Sequence, residues 1–153
     1  MRPFQRIFGT GPRGLALSLA TLAVAWGLSS LLGDPAIHGD GKLGTGLLIV
    51  SAVATTAGMI WSLKSLPPGS RGRKLVTHGA FRYVRHPLYA AFLLSFDFGL
   101  AFYLDNWIYV LWALGQFPLW HANVVEEERL MHKVFGQAYV AYCERTGRFI
   151  PKL

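Results

Sequence analysis

The sequence predicts an all-α, polytopic membrane protein with about four transmembrane helices, the last two a tight hairpin, and a cytoplasmic amphipathic C-terminal helix. Three observations lead there. Hydrophobic residues make up 52% of the 153-residue chain and charged residues only 15%, far fewer charges than the ~25% of an ordinary water-soluble domain. The apolar residues gather into four runs, 15–32, 43–63, 88–104 and 107–123. Fourteen of the fifteen Lys and Arg residues fall in segments that these crossings put on one side, with Lys42 alone on the other. Cations collect on the cytoplasmic side of membrane helices, so both termini and the 64–87 connector are expected there. The net charge of +7 is therefore a matter of membrane orientation. A nucleic-acid binder would carry such charge on a folded polar face.

Residues 1–14 are basic and rich in Gly and Pro. Gly9, Gly11 and Gly14 form a GxGxxG pattern, but a dinucleotide loop needs a preceding strand and a βαβ unit, and neither is present. The stretch reads as a flexible approach to the membrane. The 15–32 run, at 18 residues, exceeds a signal-peptide core, and no small-x-small cleavage site follows, so it is expected to be retained as a span. A polar loop with turn chemistry leads to the 43–63 run, whose 21 residues make a helix of about 30 Å, enough to cross a bilayer. Ser51, Thr55 and Gly58 share one face of it, where a second helix, in this chain or in another copy, can approach closely. Pro67, Pro68 and Gly69 then break the helix on the basic side.

The 88–104 and 107–123 runs are joined only by Asp105 and Asn106, which implies an antiparallel hairpin of short spans. Pro118 is expected to kink the second. Asp97 is the one acidic residue inside a span, costing at least about 2.5 kcal/mol near a bilayer centre unless paired, hydrated or protonated. The remaining segment, 124–151, is amphipathic. Leu130, Val134, Ala138 and Ala141 recur at helical spacing with Phe135, Tyr139 and Tyr142 beside them, an apolar stripe expected to pack on the membrane domain. Residues 1–153 read as a single domain. Cys143 is the sole cysteine, so there is no internal disulfide, and His38, His78, His86, His121 and His132 lack zinc-like spacing, so no metal is expected.

The most unusual composition lies where the basic connector meets the third span. Segment 73–89 carries His78, His86, Arg82, Arg85, Phe81, Tyr83 and Tyr89. Composition alone allows a headgroup anchor. The order of residues says more: G-A-F-R-Y-V-R-H-P-L-Y resembles the G-x-Y-x-Y-x-R-H-P-x-Y signature of the isoprenylcysteine carboxyl methyltransferase family and its phospholipid methyltransferase relatives. After the hairpin come Glu126, Glu127 and Leu130 in an E-E-x-x-L pattern. Phe135, Gly136, Tyr139 and Tyr142 then spell F-G-x-x-Y-x-x-Y, and the chain closes on Phe149, Ile150 and Pro151. The combination spans roughly 73–151. It departs from the family at Ala91, where Gly is usual, and at Ala80 and Phe81, which replace Pro and Tyr.

The resemblance implies a membrane methyltransferase using S-adenosyl-L-methionine, held by cytoplasmic segments 73–89 and 124–151, with a lipid-like or small hydrophobic substrate entering from the bilayer. It implies cofactor binding by His78, Gly79, Tyr83, His86, Tyr89 and Glu126. Arg85 and Glu127 fall at the reacting end, Arg85 to hold an anionic group bidentately and Glu127 to orient or deprotonate a nucleophile. The acceptor is left open among carboxylate, amine and thiol, as is the choice of monomer or homodimer. Two other readings remain at this stage: a non-enzymatic membrane module with a headgroup-binding neck, and a relative of NADPH-dependent sterol reductases, which share a distantly similar C-terminal half but carry many more spans.

Overall fold

The computed structural model describes residues 10–37, 41–66 and 73–152. The basic start with Arg2 and Arg6, His38, the Pro67, Pro68 and Gly69 break and Arg71 lie outside the described residues. Within them the chain is all-α. Helix α1 is Gly11–Leu31, and α2 is Gly41–Lys64. Both are long and apolar enough to cross a bilayer, yet only 17% of each apolar window is buried within the protein. Leu15, Leu19, Val24 and Trp26 on α1, and Ile49, Val50 and Val53 on α2, point outward. A water-soluble core helix would bury these side chains, whereas a bilayer solvates them.

A third, shorter apolar helical stretch runs Pro87–Tyr103. It comprises α3, Pro87–Ala91, a π turn over Phe92–Phe96, and α4, Asp97–Tyr103. Pro87 opens it at a position where a missing N–H costs nothing. Helix α5, Trp107–Asn123, contains Pro118 and starts at Asn106, whose side chain accepts from the Ile108 N–H at 2.8 Å.

The predicted small-residue face of α2 is where α3 and α4 pack. Ser51 and Thr55 are buried. An added Cβ on Gly58 would lie 3.0 Å from Ala91, and one on Gly99 would strike Ser51. Thr55 donates to the Ala91 carbonyl at 3.3 Å, and Ser95 to that of Ser51 at 3.1 Å, the short interhelical bonds that small polar residues permit in a membrane. Helix α1 packs instead on α5, through a polar seam. Trp112 and Gln116 both donate to Thr21 at 3.1 Å, Trp120 donates to Ser18 at 3.0 Å, and Ser18 donates to Gln116 at 2.7 Å. Since α4 packs on α5, the inner pair stands between α1 and α2. The loop Ile37 N–H bonds Asp105, and the Trp107 N–H bonds the Pro35 carbonyl, which ties the α1–α2 connector to the α4–α5 turn.

The C-terminal segment differs from expectation in two ways. It is two helices, α6 Val125–Phe135 and α7 Gln137–Arg145, separated by Gly136 at φ 52° and ψ −130°. That conformation suits glycine and strains any residue with a Cβ. Of the expected stripe, Tyr139 and Tyr142 on α7 are buried, whereas Ala138 and Ala141 on the same helix and Val134 on α6 are exposed. The first turn of α1 also departs from the flexible approach that its glycines suggested. It is helical from Gly11, and Gly14 is buried against Trp120 and Asn123.

Candidate active site

Backbone pairing brings the neck and the end of the tail together. Val84 and Gly147 form a parallel bridge, with Arg85 N–H bonding the Gly147 carbonyl at 2.8 Å and His86 N–H bonding that of Arg148 at 3.1 Å. Gly147 is required here, because a Cβ would lie 1.7 Å from the Ile150 carbonyl oxygen. Under this crossing sits an apolar floor of Val84, Ala90, Leu93, Trp120, Val124 and Phe149. Helix α6 starts beside it, with Val124 fully buried between α5 and α6.

That placement delivers Glu127 and Glu128 to the neck. Glu128 is the more enclosed. Arg85 approaches it through Nε and Nη2, each 3.0 Å from Oε1; His86 Nε2 lies 3.3 Å from the same oxygen; Arg148 binds through Nε at 3.0 Å and through Nη2 to Oε2. Burial alone would raise the carboxyl pKa. The hydrogen bonds from His86 and Arg148 and the charge of Arg85 outweigh it and hold Glu128 well below the ordinary carboxylate range. Arg85 also donates to the Thr146 carbonyl and, at 3.4 Å, to that of Cys143, so most of its N–H groups are engaged in joining neck to tail.

Glu127 is less encumbered. Tyr89 donates to its Oε1 at 3.1 Å, Thr10 donates from its hydroxyl at 2.8 Å and also from its N–H, and Oε2 lies 3.6 Å from His86 Nδ1. His86 therefore stands between the two carboxylates. A neutral imidazole can donate to one of them, and an imidazolium to both. Its ring stacks on Tyr89 with centroids 5.7 Å apart, and Tyr89 in turn lies 4.6 Å from Trp120.

Of the residues singled out in the sequence, Arg85, His86, Tyr89 and Glu127 thus converge. The carboxylate that pairs with Arg85 is Glu128 rather than Glu127. Glu126 lies on the outer face of α6, its side chain 63% exposed and 4.0 Å from Arg13. His78, Gly79 and Tyr83 form a separate group beside the end of α2. His78 and Tyr83 are exposed, Tyr83 packs on Trp61 at 5.7 Å, and Gly79, at φ 59°, has its Cβ position taken by Ser65. The close backbone approach at Gly79 is therefore to Ser65, whose hydroxyl accepts from the Ala80 N–H at 3.0 Å.

Four members of the cluster escaped the sequence reading: Thr10, Asn123, Glu128 and Arg148. Glu128 is adjacent to the chosen pair, and Arg148 stands two residues before Ile150, where it counted only as a topological cation. Asn123 is 6% exposed and donates to the Thr10 carbonyl at 3.1 Å. Its Oδ1 is the only buried side-chain N or O atom among the described residues without a hydrogen-bond partner.

Residues 42–138 match the family described as phospholipid methyltransferase. Protein-S-isoprenylcysteine O-methyltransferase of Schizosaccharomyces pombe is 28% identical over 112 residues, covering 72% of this chain and 47% of that protein. Methanethiol S-methyltransferase of Pseudomonas deceptionensis is 28% identical over 141 residues, covering 84% of this chain and 50% of its own. The chain thus spans about half the length of the curated relatives it matches. A solved structure of the eukaryotic intramembrane Ras methyltransferase, isoprenylcysteine carboxyl methyltransferase, superposes with a TM-score of 0.58 at 21% identity, covering 95% of this chain and 54% of that one. At that identity the likeness is one of fold.

Proposed function

Because the chain belongs to the phospholipid methyltransferase family, we propose that it is an integral membrane methyltransferase. It uses S-adenosyl-L-methionine and acts on a lipid-like or small membrane-accessible substrate through a carboxylate, amine or thiol nucleophile. The observation that carries this reading is the meeting of neck and tail around Glu127 and His86, and the excess of cations in those two segments supports placing them on the cytoplasmic side.

The residues present suit the cofactor. Asn123 Oδ1 is a buried acceptor lacking a donor, and Glu127 adds a carboxylate that is only partly enclosed. These are partners for an ammonium and for hydroxyl groups. His86, Tyr89 and Asn123 would hold the cofactor, with His78, Gly79, Tyr83 and Glu126 at the margins of its segment and Glu127 at the reacting end. When bound, it supplies an electrophilic methyl group on a sulfonium centre. What the chain must then do is align the acceptor and exclude water. Glu127 orients the acceptor or takes its proton. Arg85 and Arg148, clamped on Glu128, keep neck and tail in register and leave little freedom for His86.

The test is calorimetry of the detergent-solubilised protein with S-adenosylhomocysteine. Saturable heat is expected, weakened in Tyr89→Phe and His86→Ala. No heat at millimolar ligand would overturn the reading and leave a membrane module whose neck binds headgroups. With turnover in hand, Glu127→Gln is expected to slow methyl transfer by roughly 30- to 1,000-fold, the ~2 to 4 kcal/mol of one charge-assisted contact in a transition state.

A further inference from the structure

Thr10 lies outside the 42–138 stretch that matches the family and inside the GxGxxG pattern that has no nucleotide fold around it. Its side chain nevertheless reaches the carboxylate at the centre of the site. A threonine at the head of a helix ordinarily turns its hydroxyl back to cap its own first-turn N–H groups. Thr10 occupies that place on α1 and makes no such bond. Its hydroxyl and its backbone N–H both point to Glu127 Oε1 instead, across 117 positions of sequence.

The geometry around Thr10 is built for that contact. The Thr10 carbonyl accepts from Asn123 Nδ2 at 3.1 Å and from the Gly14 N–H at 2.9 Å, which fixes the residue from behind. Gly14 seats the helix so closely that an added Cβ would lie 2.5 Å from the Trp120 ring and 2.6 Å from Asn123, and the Cβ position of Gly11 is 3.4 Å from the Tyr89 hydroxyl. With Tyr89 donating to the same oxygen, three donors hold Oε1 and leave Oε2 toward His86.

We propose that Thr10 is a positioning residue that fixes the carboxylate of Glu127 with one oxygen toward His86, so that the first helix is a working wall of the active site as well as a membrane anchor. The inference rests on the reading of Glu127 as the methyl-transfer carboxylate, and it adds α1 to a site otherwise built from the neck and tail. The positive end of the α1 dipole supports a negative charge at this point.

The experiment compares Thr10→Val, Thr10→Ser, Glu127→Gln and the double variant Thr10→Val with Glu127→Gln in the full-length, detergent-solubilised protein. It reads affinity for S-adenosylhomocysteine, methyl transfer and thermal midpoint. Removing one hydrogen bond to a charged group is expected to cost Thr10→Val about 10-fold in affinity or turnover. Thr10→Ser recovers most of that loss, and Thr10→Val has no further effect once Glu127→Gln is present. Wild-type behaviour of Thr10→Val, or an equal loss in the Glu127→Gln background, overturns the proposal. Should the wild type bind no S-adenosylhomocysteine, the cofactor reading falls, and the thermal midpoints of the four ligand-free variants still decide on Thr10. Non-additive midpoints uphold its hold on Glu127, and additive ones refute it.

Discussion

Helix α5 begins and ends on a buried asparagine, and the two are used differently. Asn106, 2% exposed, is satisfied at both ends of its amide: Oδ1 caps the helix by accepting from the Ile108 N–H, and Nδ2 donates to Ser29 at 2.6 Å. Ser29 in turn donates to Asp34, and the Ala36 bridge to Asn106 closes that end of the bundle. Asn123 holds the Thr10 carbonyl and leaves Oδ1 without a donor. The pattern extends to their surroundings. At the Asn106 end, the bonds of Asn106, Ser29 and Asp34 and of Asp105 with Ile37 join side chains to one another and to backbone groups. Those at the Asn123 end surround two carboxylates with Arg85, His86, Tyr89, Arg148 and Thr10. Among the described residues, an end whose buried side-chain polar atoms all have partners has only to close the fold. An end that keeps a buried acceptor and a partly enclosed carboxylate in reserve can receive a ligand.

Removing a charge should separate the two ends most sharply. Glu128→Ala leaves Arg85 and Arg148 facing each other without their shared carboxylate, and breaking a buried ion pair from one side costs roughly 3–5 kcal/mol. The thermal midpoint in detergent should fall steeply, or the variant should fail to accumulate. Retention of the wild-type midpoint would mean that the cluster does not hold neck to tail. Next in size, Asn106→Ala strips both the α5 cap and the Ser29 contact and is expected to lose about 1–3 kcal/mol of stability. Asn123→Ala removes one neutral hydrogen bond together with the unpartnered acceptor. It should cost no more than about 1 kcal/mol while weakening S-adenosylhomocysteine binding. Paired calorimetry and melting curves of these two variants test the contrast, which is lost if Asn106→Ala impairs binding as much as Asn123→Ala does.

Acid should weaken the cluster around Glu128. The pKa of Glu128 is depressed in the folded protein, so its contribution to stability is complete above the ordinary carboxylate value of about 4.3 and drains away as pH falls toward the lower, folded-state value. Melting curves between about pH 6 and pH 3 should show a loss in the wild type that Glu128→Gln, already less stable, does not share. The smallest perturbation is a label. Ala36→Cys, at the Asn106 end, should react with a membrane-impermeant maleimide on intact cells, whereas the native Cys143 should be protected until lysis. The opposite pattern would put the reactive end outside the cytoplasm.

Much of the frame is legible in the residue order. Two spans could be read from length and apolarity, the close-packing face of α2 from Ser51, Thr55 and Gly58, and the turn into α5 from Asp105 and Asn106, because these are properties of local periodicity and composition. The tail departs from its sequence pattern for an equally local reason. One helical period does not run through Gly136, where a positive φ resets the phase, so that on α7 Tyr139 and Tyr142 are buried and Ala138 and Ala141 exposed. At the site, the R-H-P-x-Y segment pointed to Arg85, His86 and Tyr89, but nothing local says which of three consecutive glutamates turns inward. The α5–α6 junction at Val124 sets that phase, directing Glu127 and Glu128 to the neck and Glu126 to the outside.

What the sequence determined by itself, then, is the bilayer-spanning character of the chain, its likeness to a methyltransferase family and the two segments that meet at the candidate site, since hydropathy, charge asymmetry and contiguous motifs are all written within short stretches. The partners were decided only by the tertiary structure. Arg85 meets Glu128 across 43 positions and Thr10 meets Glu127 across 117. Such pairings depend on which helices pack together and how closely, and for Thr10 that came down to the glycine at position 14 letting α1 lie against Trp120 and Asn123, a steric fact with no signature in the neighbouring residues.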